Sequence, residues 1–479
     1  MTRLQRQRHQ MDYVLFFTVL ILTAVGVLTV YSASTVIALQ SDLPASYYAI
    51  RQLIFAVIGI VLMIGVSFLP HKFWYRVAVP FMGCSLLLLL LVLFIGHETL
   101  GGRRWLGAGS VLIQPSEIAI IAAVVYLSFF FTKQVTLIHS FKRGLLPGLI
   151  VVGLAFALII AEPDMGTAMS LLTTCIVILF ASGARLKPLL MLGGALLPVV
   201  IGLGFMESYR SARIKAWLDP FHSSQAYQLL HGFTAMAAGG WFGRGFDMSI
   251  QKMGYLPVPQ IDFIFPVFVE EWGFVGAIAL LATFAVLIWR GFHTARHAPD
   301  RFSALLSIGL TGMITFKTII NLGAVTGLLP VTGIPLPFIS YGGTSLLMNL
   351  VAMGMLLSVS RATVAEEPEV DQLADVIYVE DVEQRRGKRL GQASDVPPLS
   401  VVSERRADVR PLYQRRQQKA DRTGSWRARQ EVAATRRETP TIRPSSMPMT
   451  WRERHQAANR PVSDKDGGKS RRKSLFRKD

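Results

Sequence analysis

The chain has 479 residues, of which 51% are hydrophobic and 17% charged, and its formal net charge is +18. That composition excludes an ordinary soluble domain, because the apolar residues gather in long blocks of the kind that cross membranes. The two cysteines, Cys84 and Cys175, fall inside such blocks and read as small buried hydrophobes, which excludes a disulfide or zinc framework.

In chain order, Arg3, Arg6 and Arg8 precede an apolar run over 13–33. That run is too long for the core of a signal peptide, so it reads as a first, uncleaved transmembrane helix. Nine more blocks follow at 51–69, 77–97, 113–131, 145–161, 167–183, 188–206, 263–289, 303–328 and 343–360. Each is about the 20 residues that a helix needs to cross hydrocarbon. The expected fold is therefore all-α and polytopic, with about ten transmembrane helices over 13–360.

Lys and Arg set the orientation. The N-terminal segment 1–12, Lys72, Arg76, Lys133, Lys142, Arg143, Arg185, Lys187, Arg290, Arg296 and Arg301 fall in alternate connections. These are expected to be cytoplasmic, with both termini on the cytoplasmic side of the membrane. The opposite short connections are poor in basic residues. One outer segment, 207–262, is far longer than a usual connection. It carries Arg210, Arg213, Lys215, Arg244 and Lys252, against the topology signal. Either this is ordinary surface charge or the loop meets an anionic ligand.

The charge is concentrated at the end of the chain. Residues 1–360 hold 22 Lys and Arg against 13 Asp and Glu, and 385–479 hold 26 against 10. Between them lies an acidic stretch, 361–384. The tail 361–479 is polar and aperiodic and is expected to be disordered. Its basic part suits the anionic inner leaflet or an acidic cytoplasmic partner. Aromatic residues are sparse there, so no nucleic-acid partner is expected. No Walker loop, Rossmann fingerprint or zinc spacing occurs, which argues against an ATP-driven pump.

Several stretches carry polar chemistry next to apolar spans. In GGRRWLGAGSVLIQPSE (101–117), Arg103 and Arg104 could contact a diphosphate or lipid headgroups, and Trp105 suits a membrane interface. Gln114-Pro115-Ser116-Glu117 reads as a helix start. In EPDMGTA (162–168), Asp164 reads as a helix N-cap; Glu162 and Asp164 could also meet a divalent cation or basic residues. The long loop offers Arg213, Lys215 and Asp219 in RIKAWLDPF (213–221). It then has a glycine-rich stretch, AMAAGGWFGRGF (235–246), with no phosphate-loop spacing. In GLLPVTGIPLPFISYGGTSLL (327–347), Ser340, Thr344 and Ser345 are expected to cap the last helix or to contact a sugar.

The richest stretch is QKMGYLPVPQIDFIFPVFVEEWGFVG (251–276). Asp262 stands at the start of the eighth span, where it is either a helix cap or a general base beside a basic loop. Gln251 and Lys252 would then meet an anionic leaving group. Glu270 lies about 12 Å further along the helix, too far to share one bond with Asp262. Glu270, Glu271 and Lys317 read as intramembrane charges, and Lys317 is expected to pair with one of the two glutamates.

RRWLGAGSVLIQPSE, EPDMGTA, RIKAWLDPF, QKMGYLPVPQIDFIFPVFVEEWGF and GLLPVTGIPLPFISYGGTSLL, in this order, resemble the SEDS family of FtsW, RodA and SpoVE. The resemblance covers about 13–360; the QK..YLP.P...DFIF wording is closer to FtsW and SpoVE than to RodA, while PVTGIPLPFISYGG is shared with RodA, and FtsW is the nearest subgroup. It implies a peptidoglycan glycosyltransferase that polymerises lipid II in cell division, working with a class B penicillin-binding protein and other division proteins. It carries the family's essential acid onto Asp262. Lys252, Gln251, Arg213, Lys215, Arg103 and Arg104 are the substrate-contact candidates. The family's usual LPEAHTDF becomes LPVPQIDF, so Val258 stands where a glutamate is common and no role can rest on that acid. Lys317 stands where glutamine is common. A divalent cation, Mg or Mn, could assist the leaving group, but no residue cluster marks a metal site. A lipid II flippase and a non-catalytic division or elongation scaffold are the competing readings.

Overall fold

The computed structural model describes residues 11–99, 102–108, 111–184, 208–223 and 226–362, with Gly194 and Gly202 as isolated positions. The seventh expected span (188–206), Arg3, Arg6 and Arg8, and the tail beyond Ala362 lie outside the described residues. What is described falls in one compact unit.

Nine of the ten expected spans are helices. These are α1 (Tyr13–Gln40), α2 (Tyr47–Phe68), α3 (His71–Ile95), α4 (Pro115–Lys133), α5 (Leu146–Ala161), α6 (Met165–Ala181), α9 (Ile264–Arg296), α10 (Arg301–Val325) and α11 (Gly343–Ser360). Eight, α5 counted with the π turn Phe141–Leu145 before it, are long and apolar enough to cross a membrane; α6 is shorter. The chain is a polytopic, all-α membrane protein with two additions. The long loop contains α7 (Ser208–Leu218) and α8 (Tyr227–Ala238). The stretch around Arg103 is a small antiparallel sheet, β1 (His97–Thr99), β2 (Gly102–Ala108) and β3 (Val111–Ile113), in sequential order. Leu106 faces Ile113 and His97 faces Trp105 across it.

Helix starts follow capping chemistry. Asp12 accepts from Leu15 N at 3.0 Å and Asp300 from Ser303 N at 2.9 Å. Asp164 accepts from Thr167 N at 3.1 Å, as expected of an N-cap. Pro115 opens α4 where its missing N–H costs nothing.

The helix ends sort into two faces of the bundle. On one face, Arg290 pairs with Asp12 at 2.7 Å and His71 with Asp300 at 3.2 Å. Arg301 donates to Ser182 O, and Ser358 to Leu69 O. These are the connections that carry the basic residues. The other face gathers the sheet, the 162–166 turn, the long loop and the 327–342 connection. Small residues let the helices meet closely: a methyl on Gly354 of α11 would come within 2.6 Å of Met63 O on α2. Cys175 is buried, but Cys84 is exposed on the apolar surface of α3, so only one of the two is a core residue.

α9 is not one continuous helix. Gly273 has φ 70° and ψ −172°, a conformation open essentially to glycine alone. The carbonyls freed there accept from the glycine-rich stretch, Arg244 N to Glu270 O at 3.0 Å and Gly245 N to Glu271 O at 3.1 Å. Beyond the break, Phe274 N donates to Gly240 O at 2.9 Å and Val275 N to Trp241 O at 3.1 Å. AMAAGGWFGRGF thus satisfies a broken helix by backbone pairing. A methyl on Gly273 would also strike the backbone of Trp241, Phe242 and Gly243. Gly273→Ala is therefore expected to lose about 1–3 kcal/mol from backbone strain alone, read as a lowered unfolding temperature in detergent.

Candidate active site

Asp262 sits in the turn immediately before α9, half-buried. It is not the helix cap, because Phe263 holds that position without a side-chain bond. Three elements fix its place. Asn321, near the end of α10, donates to Asp262 O at 2.9 Å and to Ile334 O at 2.8 Å. Tyr341 N donates to Gln260 O at 2.8 Å. Arg213 on α7 donates to Val331 O at 3.2 Å. The 327–342 connection therefore braces both the Asp262 turn and Arg213. Its own shape is held by Ser340, whose hydroxyl accepts from Leu336 N at 2.8 Å.

Burial pushes the Asp262 carboxyl above its usual range, while the Arg213 guanidinium and the amides of Asp262 and Phe263 pull against that rise. A carboxylate made more basic, within electrostatic reach of a cation, can take a proton from a hydroxyl while positive charge meets a departing anion.

The other expected cations divide. Lys215 is exposed on α7 and Arg103 is exposed on β2, so both are open to a ligand. Arg104 is not: it donates to Glu162 O at 3.1 Å and to Pro163 O at 2.7 Å. Successive strand residues point to opposite faces, so the two adjacent guanidiniums cannot clamp one diphosphate together. The Gln251 side chain bonds His231 Nδ1 at 2.8 Å.

Lys252 corrects the expectation most sharply. It is 2% exposed, and its ammonium donates to Ser32 at 2.7 Å and to Glu271 at 3.1 Å and also pairs with Asp247. All three donors are used inside the protein, so it is a structural cation tying the long loop to α1 and α9. Glu270 accepts from Ser249 Oγ, from Ile250 N at 2.9 Å and from Gln251 N at 3.3 Å. Lys317 does not pair with either glutamate. Its partner is Glu117 in the first turn of α4, at 2.6 Å, and Ser345 donates to the other oxygen of Glu117 at 3.1 Å. The glutamates are claimed by the loop residues, and Glu117 was overlooked because it reads so readily as a helix-start acid.

Ser345 and Thr344 are not caps of α11, whose cap residue Gly342 makes no side-chain bond. Thr344 Oγ1 donates to Leu112 O at 3.1 Å and accepts from Gln114 N at 3.3 Å, joining α11 to the sheet and α4.

Glu162 is fully buried, and neither carboxyl oxygen has a hydrogen-bond partner among the described residues. Burial and the neighbouring Asp164 push its pKa up to about 8, against the pull of Arg104. A carboxyl raised in the folded state contributes full stability below about pH 4.5, and loses it as pH climbs toward about 8. Glu162→Gln removes that penalty. It is expected to gain roughly 4 kcal/mol at pH 8 and little at pH 4.5, seen as a melting temperature that falls less as pH rises.

Asn321, Gln260 and Tyr341 are the positioning residues that the sequence reading missed. A buried asparagine one turn beyond Lys317, in an otherwise apolar span, was the signal available for the first.

Residues 12–365 match the family model for cell cycle proteins of the FtsW, RodA and SpoVE type. The chain belongs to this family. It is 40% identical over 354 residues to stage V sporulation protein E of Bacillus subtilis (strain 168), covering 73% of this chain and 97% of that protein. It is 38% identical over 353 residues to a probable peptidoglycan glycosyltransferase FtsW of Trichlorobacter lovleyi, covering 73% and 93%. Among solved structures it is similar to a chain of a peptidoglycan synthase complex described as coordinating polymerization and crosslinking. There the TM-score is 0.62 at 29% identity, covering 74% of this chain and 98% of that one.

Proposed function

We propose that this family member is a peptidoglycan glycosyltransferase of the bacterial cytoplasmic membrane that polymerises lipid II. The observation that carries the reading is the half-buried Asp262 at the mouth of a membrane bundle, within electrostatic reach of Arg213 and held by the same 327–342 connection. The names of the relatives support the activity.

In this reading Asp262 accepts the proton of the attacking sugar hydroxyl. The hydroxyl oxygen bonds the anomeric carbon of the second substrate, and the bond from that carbon to the diphosphate oxygen breaks. The electron pair leaves with the undecaprenyl diphosphate, whose charge Arg213 offsets together with the exposed Lys215 and Arg103. Among the described residues no three His, Cys, Asp or Glu side chains gather to hold a metal. A Mg or Mn ion would thus depend on substrate oxygens for most of its ligands, and no step above is routed through it.

A class B penicillin-binding protein is the proposed partner, in keeping with the similarity to a synthase complex. Relatives named FtsW favour the division septum over side-wall elongation, and the basic tail is assigned to the anionic inner leaflet or an acidic partner. A flippase would use the buried charges as a path, but Lys317 and Lys252 are each paired within the protein.

The test is purified full-length chain on lipid II in detergent, with and without the transpeptidase partner. Glycan strands on a gel are the expected result, and none under either condition would sink the assignment. A fluorescent fusion should gather at midcell; uniform side-wall signal would remove the septal role.

A further inference from the structure

The segment 239–255 does more than pair with the break in α9. Its backbone bonds to Glu270, Glu271, Phe274 and Val275 fix its height along that helix. At that height it turns large apolar side chains outward: Phe242 is 84% exposed, Trp241 68% and Met248 65%. These are not scattered singles. The Trp241 ring meets Phe274 edge-on at 5.3 Å, and Phe274, Val275 and Ile278 form the exposed stripe of α9. That stripe belongs to a helix that crosses hydrocarbon, so the loop patch continues a lipid-facing surface without interruption.

The length of α9 places the patch. Arg290 pairs with Asp12 on the basic face, and from Gly273 to Arg290 the helix has roughly 17 residues, about 26 Å, which covers most of a hydrocarbon layer of about 30 Å. The break at Gly273 then lies at the edge of that layer, at headgroup level, where tryptophan is favoured. Arg244, exposed between Phe242 and Phe246, sets a cation at the level of lipid phosphates. An apolar patch of this kind on a water-exposed loop would be an unusual liability.

We infer that 241–255 is a membrane-inserted face. Trp241, Phe242 and Met248 lie in the boundary between headgroups and acyl chains, and Arg244 meets lipid phosphate. The occupant is the lipid surface itself, and the long loop is anchored rather than free in water. The inference stands whether or not the chain polymerises lipid II.

Nitroxide labels test it. Phe242→Cys and Met248→Cys, each with Cys84→Ala and Cys175→Ala, are labelled in the full chain. The protein is placed alone in nanodiscs of phosphatidylethanolamine and phosphatidylglycerol. Collisions with oxygen and with a water-soluble nickel chelate are compared with labels at Val61, exposed on α2, and Lys215, exposed on α7. The expected result is nickel collision at 242 and 248 several-fold below that at 215, and near that at 61. Nickel collision equal to that at 215 would overturn the inference. Protection that arises only on adding a class B penicillin-binding protein would make the patch a protein interface instead. Should the cysteine variants fail to fold, brominated lipids serve: they should quench the unlabelled chain more than Trp241→Phe, and equal quenching would count against the inserted face.

Discussion

Asp262→Asn is expected to cut glycan polymerisation at least about 100-fold while leaving the fold intact. The substitution keeps size and shape and removes only the ability to accept a proton. The bond that holds the turn, from Asn321, goes to the Asp262 backbone carbonyl and survives the change. The carboxyl does not hold the cap position of α9, which belongs to Phe263. Its burial also makes a prediction about pH. A base works when deprotonated, so activity should fall as pH drops through the Asp262 pKa. Because burial raises that pKa, the fall should begin above the usual aspartate range. Arg213 pulls the other way, so Arg213→Ala should shift the acid limb to still higher pH as well as slow the reaction. Initial rates of strand formation across pH, for the parent and both variants, read all three effects. Unchanged activity in the Asn variant would remove Asp262 as the base.

Lys252→Met is expected to cost about 3–5 kcal/mol of stability, the effect of stripping one partner from a buried ion pair. Glu271 would stay buried beside α1 with no cation, while Asp247, partly exposed, could turn to solvent. Adding Glu271→Leu should then recover much of the loss, since an apolar pair removes the uncompensated charge. Thermal unfolding of parent, both single variants and the double variant closes a cycle that isolates the coupling. The opposite outcome is informative. A Lys252→Met protein as stable as the parent but inactive would return this lysine to the substrate site.

These two residues show where a linear reading succeeds and where it stops. Asp262 stands out as a candidate because a carboxylate at the junction of a polar loop and an apolar span has few structural uses. The N-cap at Asp164 and the helix start at Pro115 were legible because both act within the first turn of their helices. Lys252 was misplaced because a lysine in an outer loop looks open to solvent. Only the return of the loop against α1 and α9 encloses it. Lys317 was given the nearest acid on the neighbouring helix in sequence. Its actual partner, Glu117, is 200 residues away, on a helix that only the packed bundle brings alongside.

The break in α9 belongs to the same class. A glycine within an apolar run is ordinary in a membrane helix, and a glycine-rich stretch in a loop is ordinary too. Neither announces that the two pair, since backbone pairing of this kind leaves no side-chain pattern.

By itself, then, the sequence determined the place of nine spans among the described residues, the two-sided distribution of basic residues and Asp262 as the candidate acid. These depend on local hydrophobic length, local charge and local capping, which act over a few turns of chain. The tertiary structure decided which cations are free and which are spent, what holds the Asp262 turn in place and where α9 breaks. Those depend on desolvation and on partners brought together from distant segments. Burial turns a charged side chain from a surface group into one that must be satisfied within the fold.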